Sequence, residues 1–386
     1  MTDELQVSTT SSNTRIRHAP WIAFGIANVA VILTLTLASW WLLVDPVTNV
    51  IGWTIYPEPF TSGLFWTIIV VVFVGFSLQF HGFDSLKQPA RGAVLLTLTV
   101  VVAIAITAVL AVPLAEIAPS FSAERPGGAG YSTGSQWVLY AFVLYVMSVV
   151  NWNHWPWTDD RVLQPWKGWA EIAALIVPTT VLYSVVALPN LLVEGPDPLI
   201  GLEPSIGYFY SCIVSIVLTG NLTDNWPWRL AGSPGRTAAA AAFGNFLLGG
   251  LIYVGLRELV EFIVGEGNVL ILGESMASMP AQIGVCWVLW AIAWPNAFSN
   301  YPNGSESPLA LKYFVRLIIT FGLAVVTYIG YYFGLASTML HEPYISPTMA
   351  GNALGFIDLL VLWSLWYLLC FNSWGLRRFA PKTAAQ

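Results

Sequence analysis

Ten long apolar runs limit what this chain can fold into. They cover 21–44, 61–80, 92–117, 136–151, 168–193, 205–221, 237–263, 280–296, 311–338 and 352–371. Crossing about 30 Å of hydrocarbon takes roughly 20 such residues. Lipid offers no hydrogen bonds, so each run must satisfy its own backbone, and the α-helix does so. Charged residues make up 9% of the 386, against about 25% in a soluble domain, whose surface must stay in water. The sequence therefore predicts an all-α polytopic membrane protein of about ten transmembrane helices. Soluble enzymes are excluded, and no nucleic-acid partner is expected. The first run is not read as a cleaved signal peptide: it is 24 residues long, has no small-x-small site, and nine further runs follow. Residues 1–14 read as a disordered tail, 15–376 as one transmembrane domain, and 377–386 as a basic tail.

Ten spans put both termini on one side. Thirteen of the 15 Lys and Arg residues fall on that side, Arg125 and Arg257 being the exceptions. The opposite loops hold Asp45, Glu58, Glu194, Asp197, Glu203, Glu266 and Glu274. Basic residues stay inside, so both termini are expected in the cytoplasm, with the protein in the plasma membrane.

A short motif recurs at the cytoplasmic end of each even-numbered span. The copies read Gln79-Phe80-His81-Gly82, Asn153-His154-Trp155-Pro156, Asp224-Asn225-Trp226-Pro227, Ser299-Asn300-Tyr301-Pro302 and Asn372-Ser373-Trp374-Gly375. The Gly/Pro positions are 74, 71, 75 and 73 residues apart. Each following odd-numbered span opens on a proline (Pro89, Pro165, Pro234, Pro308), with a basic residue nearby. Proline suits the first turn, where its missing N–H would have no partner anyway. Pro20 opens the first span in the same way, so that span reads as the second helix of a unit begun by the tenth. Five two-helix repeats of about 73 residues follow, one split between the chain ends, which suggests a pseudo-five-fold ring. In layout alone this resembles the tellurite-resistance and slow-anion-channel family, which also arranges ten helices as five hairpins around a pore; the resemblance implies a conduit.

The motif ends allow two readings. Proline stops each helix, the indoles anchor it at the headgroups, and Asn and His cap free carbonyls. Alternatively His81, His154, Trp155, Asn225 and Trp226 converge into a cytoplasmic vestibule, an aromatic cage suited to organic cations or flat molecules. A metal site there would need His81, His154, Asp84, Asp159, Asp160 and Asp224 to meet from three repeats, with no two on one helix face; no metal or other cofactor is expected. Cys212, Cys286 and Cys370 lack metal-ligand spacing and read as apolar packers.

Charges inside spans are costly and mark functional candidates. Asp358 lies in the tenth span with no local partner, and Arg257 is the partner expected from another helix. Arg257 and Glu261 can pair at i,i+4. Glu171 lies less than two turns into span five and reads either as a coupling group or as an interfacial carboxylate. If the odd-numbered helices form the inner ring, Asn28, Thr97, Glu171, Asn245 and Thr320 line one level of a conduit.

No phosphate-binding loop, GxSxG elbow or HExxH is present, which removes an ATP-driven pump working alone. The leading expectation is a transporter or channel for a small, organic solute, with Asp358 and Glu171 as coupling groups. The alternatives are a membrane subunit that scaffolds a larger complex or stores a lipid-soluble cofactor, and an intramembrane enzyme acting on a lipid or isoprenoid. Beyond the lipid bilayer and the solute, a homo-oligomer is the remaining expected partner.

Overall fold

The computed structural model describes residues 20–158, 162–304 and 307–380. The tail 1–14 and the end of the basic tail, 381–386, lie outside them. Ten long helices follow one another: α1 (Trp21–Val44), α2 (Phe60–Ser77), α3 (Ala90–Ala111), α4 (Pro126–Val150), α5 (Trp166–Val186), α6 (Leu202–Leu222), α7 (Pro234–Val264), α8 (Met279–Ala297), α9 (Leu309–Thr338) and α10 (Ala353–Cys370). Among the described residues nine helices are long and apolar enough to cross a membrane. They become ten if Glu266–Ala277 and α8, bent by 79° from each other, are one span. The only sheet there is a small hairpin, β1 (Tyr344–Ser346) with β2 (Met349–Ala350), ahead of α10.

Burial separates the helices into two layers. In an apolar 18-residue stretch of α2, α4, α6 and α10, 61, 61, 78 and 83% of the residues are buried, and α8 is buried along most of its length. In α1, α3, α5, α7 and α9 that share is 17 to 33%. The even-numbered helices are therefore the inner layer, and the condition that placed the odd-numbered ones inside does not hold. Composition could not decide this, because in lipid an outward face is as apolar as a core.

The inner helices meet in a closed circle, α2 on α4, α4 on α6, α6 on α8, α8 on α10, and α10 on α2. Each outer helix lies against the inner helix before it and the end of the one before that: α3 on α2 and α10, α5 on α4 and α2, α7 on α6 and α4, α9 on α8 and α6. α1 lies on α10 and α8, as it would if α10 preceded it in the chain. Close seats allow this crossing. A Cβ on Gly25 of α1 would strike the ring of Phe298 after α8, and one on Gly92 of α3 the ring of Phe371 after α10. Indoles tie the layers together. Trp137 Nε1 donates to Thr180 Oγ1 (3.1 Å), Trp290 Nε1 to Thr327 Oγ1 (2.9 Å) and Trp363 Nε1 to Ser39 Oγ (2.9 Å). Part of the Trp content thus serves the seams between helices as well as the lipid boundary.

All five motif copies end their helices in the same way. Two consecutive residues take left-handed φ in each: Gln79 and Phe80, Asn153 and His154, Asp224 and Asn225, Ser299 and Asn300, Asn372 and Ser373. In each copy the second of them donates its N–H six residues back, to Val74, Ser148, Thr219, Trp294 or Tyr367. Left-handed backbone costs an L-residue roughly 1–2 kcal/mol, least for Asn and Asp, whose short polar side chains bond locally. Five of these ten positions are Asn or Asp. Gly82 and Gly375 also have positive φ, which explains glycine where the other copies carry proline.

Candidate functional site

A cavity of about 330 Å³ lies between the five inner helices, and every one of them contributes to its wall. The lining residues form levels with one residue per helix. At the end where the five motifs lie, called here the motif end, the level is Phe76, Val150, Asn221, Asn296 and Leu369. One turn deeper it is Val72, Val146, Val217, Ile292 and Leu365, and one turn deeper again Ile68, Phe142, Ile213, Val288 and Val361. Within each level the sequence intervals are 74, 71, 75 and 73, the same as those of the motif. Three residues farther toward the opposite, far end stand Tyr210 and Asp358.

Helix periodicity explains the levels. Positions four apart, such as Ile213, Val217 and Asn221, share a face, and β-branched side chains hold that face in few rotamers. Exposure falls along the cavity. Asn296 is exposed and the rest of its level half-buried, whereas Ile213, Tyr210, Val361 and Asp358 are 4–5% exposed. The cavity is thus more open toward the motif end and closes at Asp358.

Among the described residues Asp358 has one polar partner. The Tyr210 hydroxyl donates to its Oδ1 at 3.2 Å, and no described Lys, Arg or His lines the cavity. The partner expected in sequence, Arg257, is elsewhere. Its Nε donates to Glu261 Oε1 at 2.9 Å on the outward side of α7, with side chains 46 and 32% exposed. The i,i+4 pairing forms as spacing suggested, away from the central cavity.

Glu171 and His154, expected in separate roles, meet. Glu171 on α5 is 1% exposed. It accepts from Ser148 Oγ on α4, and its Oε2 lies 3.0 Å from His154 Nδ1. The α4 turn is thereby fastened to the outer helix. Asn245 and Asn225 meet as well, through Asn151. Asn245 Nδ2 donates to Asn151 Oδ1 (3.0 Å), and Asn151 Nδ2 donates to Asn225 Oδ1 (3.0 Å). Ser215 Oγ donates to Asn245 Oδ1 (2.7 Å). Asn28 is fully buried in α1, donates to Phe24 O (2.8 Å), and its Oδ1 has no partner among the described residues. None of Asn28, Glu171 and Asn245 lines the cavity. They occupy the seams between outer and inner helices, as does Thr320; Thr97 is exposed, and Thr99 takes the buried seat in α3.

The side chains before the Gly/Pro position do not close into a cage. His81, Trp155, Trp226, Tyr301 and Trp374 are all exposed. Tyr301 stacks on Trp21 at the start of α1 (centroids 4.2 Å apart), and Trp155 packs over Gly235 at the start of α7. These rings lean outward onto the outer helices, as interfacial anchors do. The suggested metal donors are dispersed. Asp84 lies 4.0 Å from Arg91, Asp224 accepts from Tyr313, and His154 is held by Glu171; Asp159 and Asp160 lie outside the described residues.

Two features escaped the sequence reading. Arg316, one of the 13 basic residues on the motif side, is 5% exposed and bridges two motif turns, donating to Leu222 O (3.1 Å) and Pro302 O (2.9 Å). At the far end a clasp joins the loop after α1 to the loop before α10. Trp40 Nε1 donates to Leu340 O (3.1 Å), His341 Nδ1 lies 2.8 Å from Asp45 Oδ2, and Tyr56 and Tyr331 donate to Glu342 (2.5 and 2.6 Å). Burial is the main cause that pushes the Glu342 carboxyl up to about 7. The hydrogen bonds from Tyr331, Tyr56 and the Asn352 N–H oppose it, and nearby Asp45 adds to it.

No protein-family model, no curated protein and no solved structure matches the chain. The likeness in layout to the tellurite-resistance and slow-anion-channel family therefore gains no support from comparison of folds.

Proposed function

We propose that this protein is a conduit, a transporter or channel that carries a small organic solute through the ring of its inner helices. One observation supports the reading above the rest: the central cavity, walled at three levels by one residue from each inner helix and closed at an acidic residue. Pore-type selectivity and gating come from such rings and from apolar constrictions. The repeat reading belongs with it. Five two-helix units, one split between the chain ends, account for the common intervals of motif and cavity levels and for the packing of α1 on α10. One chain supplies the whole wall, so the conduit needs no second copy. The motif end faces the cytoplasm of a plasma membrane in this reading, supported by the 13 Lys and Arg residues on that side, and the cavity then opens inward.

The enzyme alternative has less to stand on. Asp358, Glu171 and the histidines do not converge, and a carboxylate with one phenol makes no acid–base pair around a reacting group. The scaffold alternative leaves the cavity without a purpose. Flux measurements on proteoliposomes, with a panel of small amines, alcohols and carboxylates, test the conduit. At least one solute should cross, and Val217→Trp, which fills the middle of the cavity, should stop it. Flux that persists in folded Val217→Trp protein would send the solute by another path, and no flux of any solute would favour the scaffold.

A further inference from the structure

From the cavity's chemistry we infer that its ligand is a small organic monocation, an amine protonated in water, bound with the ammonium at Asp358 and an apolar body along the aliphatic levels. The inference rests on the conduit reading and names the class of solute. A carboxylate moved from water into apolar surroundings loses its hydration, and a cation brought to it restores much of that loss. Among the described residues none is provided: Asp358 is 4% exposed, Tyr210 is its one polar partner there, and no basic side chain lines the cavity. A ligand that carries its own cation supplies what the wall lacks.

The walls distinguish an organic cation from a bare metal ion. Sodium, potassium or calcium needs a shell of oxygens, and this end of the cavity offers only Asp358 and the Tyr210 hydroxyl. The remaining polar lining groups, Asn221 and Asn296, stand at the mouth. Eleven residues separate Asn221 from Tyr210 on α6, about 16 Å of helix. Between them lie two levels built from Val, Ile, Leu and Phe, which repel a hydrated ion and favour a hydrocarbon chain. Phe142, one level from Asp358, and the Tyr210 ring add aromatic faces that attract an ammonium. Anions are disfavoured throughout. A carboxylate ligand would meet Asp358 at the closed end, where like charges repel in a low-dielectric site.

Three six-carbon probes of similar shape test this on the full-length protein in lipid nanodiscs: n-hexylammonium, n-hexanol and hexanoate. Binding is read by titration calorimetry at a pH where the amine is charged. Hexylammonium should bind about tenfold or more tighter than hexanol, since a charge-assisted hydrogen bond replaces a neutral one, and hexanoate should not bind. Asp358→Asn, close in size, should lose that tenfold for hexylammonium and leave hexanol unchanged, while Ile213→Trp should abolish binding of both. Equal hexylammonium binding by folded Asp358→Asn protein, or hexanoate binding as well as the amine, overturns the inference and leaves the conduit standing. Failure of the conduit itself shows differently, as flux unaffected by a blocked cavity.

Discussion

The Tyr210 hydroxyl on α6 donates to Asp358 Oδ1 on α10 at 3.2 Å, across the closed end of the central cavity. The two helices are not neighbours in the inner circle, since α8 stands between them on one side and α2 and α4 on the other. The bond therefore spans the cavity. Removing the phenol's hydroxyl strands a buried carboxylate. Tyr210→Phe should cost on the order of 1–3 kcal/mol, and most of that should vanish in a protein already carrying Asp358→Asn. A double-mutant cycle on thermal or denaturant unfolding measures the coupling. Additive effects would mean that the two groups do not interact.

Glu171 faces the seam between α5 and α4, where it holds Ser148 and His154. Glu171→Ala leaves Ser148 and His154 without their shared acceptor and should destabilise the protein by roughly 3 kcal/mol. Flux per folded molecule should stay near normal. Loss of flux in Glu171→Ala protein of unchanged melting temperature would return this residue to the solute path.

Left-handed turns make a prediction that separates backbone from side chain. At Asn372, with φ of 52°, glycine should be neutral or stabilising. A β-branched residue should cost about 1–2 kcal/mol, the penalty of left-handed backbone. Melting temperatures of Asn372→Gly and Asn372→Val check the order, and Asn153 should behave alike. A Val variant as stable as the Gly variant would mean that the turn is not left-handed.

Glu342 links stability to pH. Its carboxyl titrates near 7 in the folded protein, raised from 4.5, so between those values the folded state holds a proton that the unfolded state has lost. This contribution is fully present below about pH 4.5 and is lost as pH rises through 7, at most about 3 kcal/mol at 1.36 kcal/mol per unit. Melting temperature should therefore fall from pH 5 to pH 7.5, and Glu342→Gln should flatten that part of the profile. An unchanged slope in the variant would place the titration elsewhere.

Much of this architecture was legible in the sequence, and the register of the motif was the informative part. The apolar runs define the helices, and the spacing of 82, 156, 227, 302 and 375 marks five equivalent chain reversals. Counting back six, ten and fourteen residues from those positions reaches each level of the cavity wall. The levels were thus present in the sequence, but nothing in an apolar span says which helix turns inward. Polar residues in the odd-numbered helices suggested the wrong layer, because Glu171 and Asn245 are polar for the sake of contacts between helices, and Asn28 bonds back to Phe24 O in its own helix. Asp358 stood out by its charge alone, whereas Tyr210 did not, since a tyrosine in a span is ordinary. The clasp of Trp40, Asp45, Tyr56, His341 and Glu342 joins residues about 300 apart, which local spacing cannot reveal. The Asn and His of the motif suggest caps for carbonyls, and left-handed backbone is the stronger reason for the Asn and Asp found there.

Cysteine accessibility shows whether a water-reachable cavity runs inside the five even-numbered helices. In a background with Cys212, Cys286 and Cys370 replaced, single cysteines at Asn221, Val217, Ile292 and Leu365 would be exposed to a small cationic thiol reagent. Modification is expected from the motif side at each of these positions, slower with depth, and none at Leu247 or Val254, which face outward on α7. Modification at Leu247 and Val254 with protection at the four inner positions would contradict such a cavity.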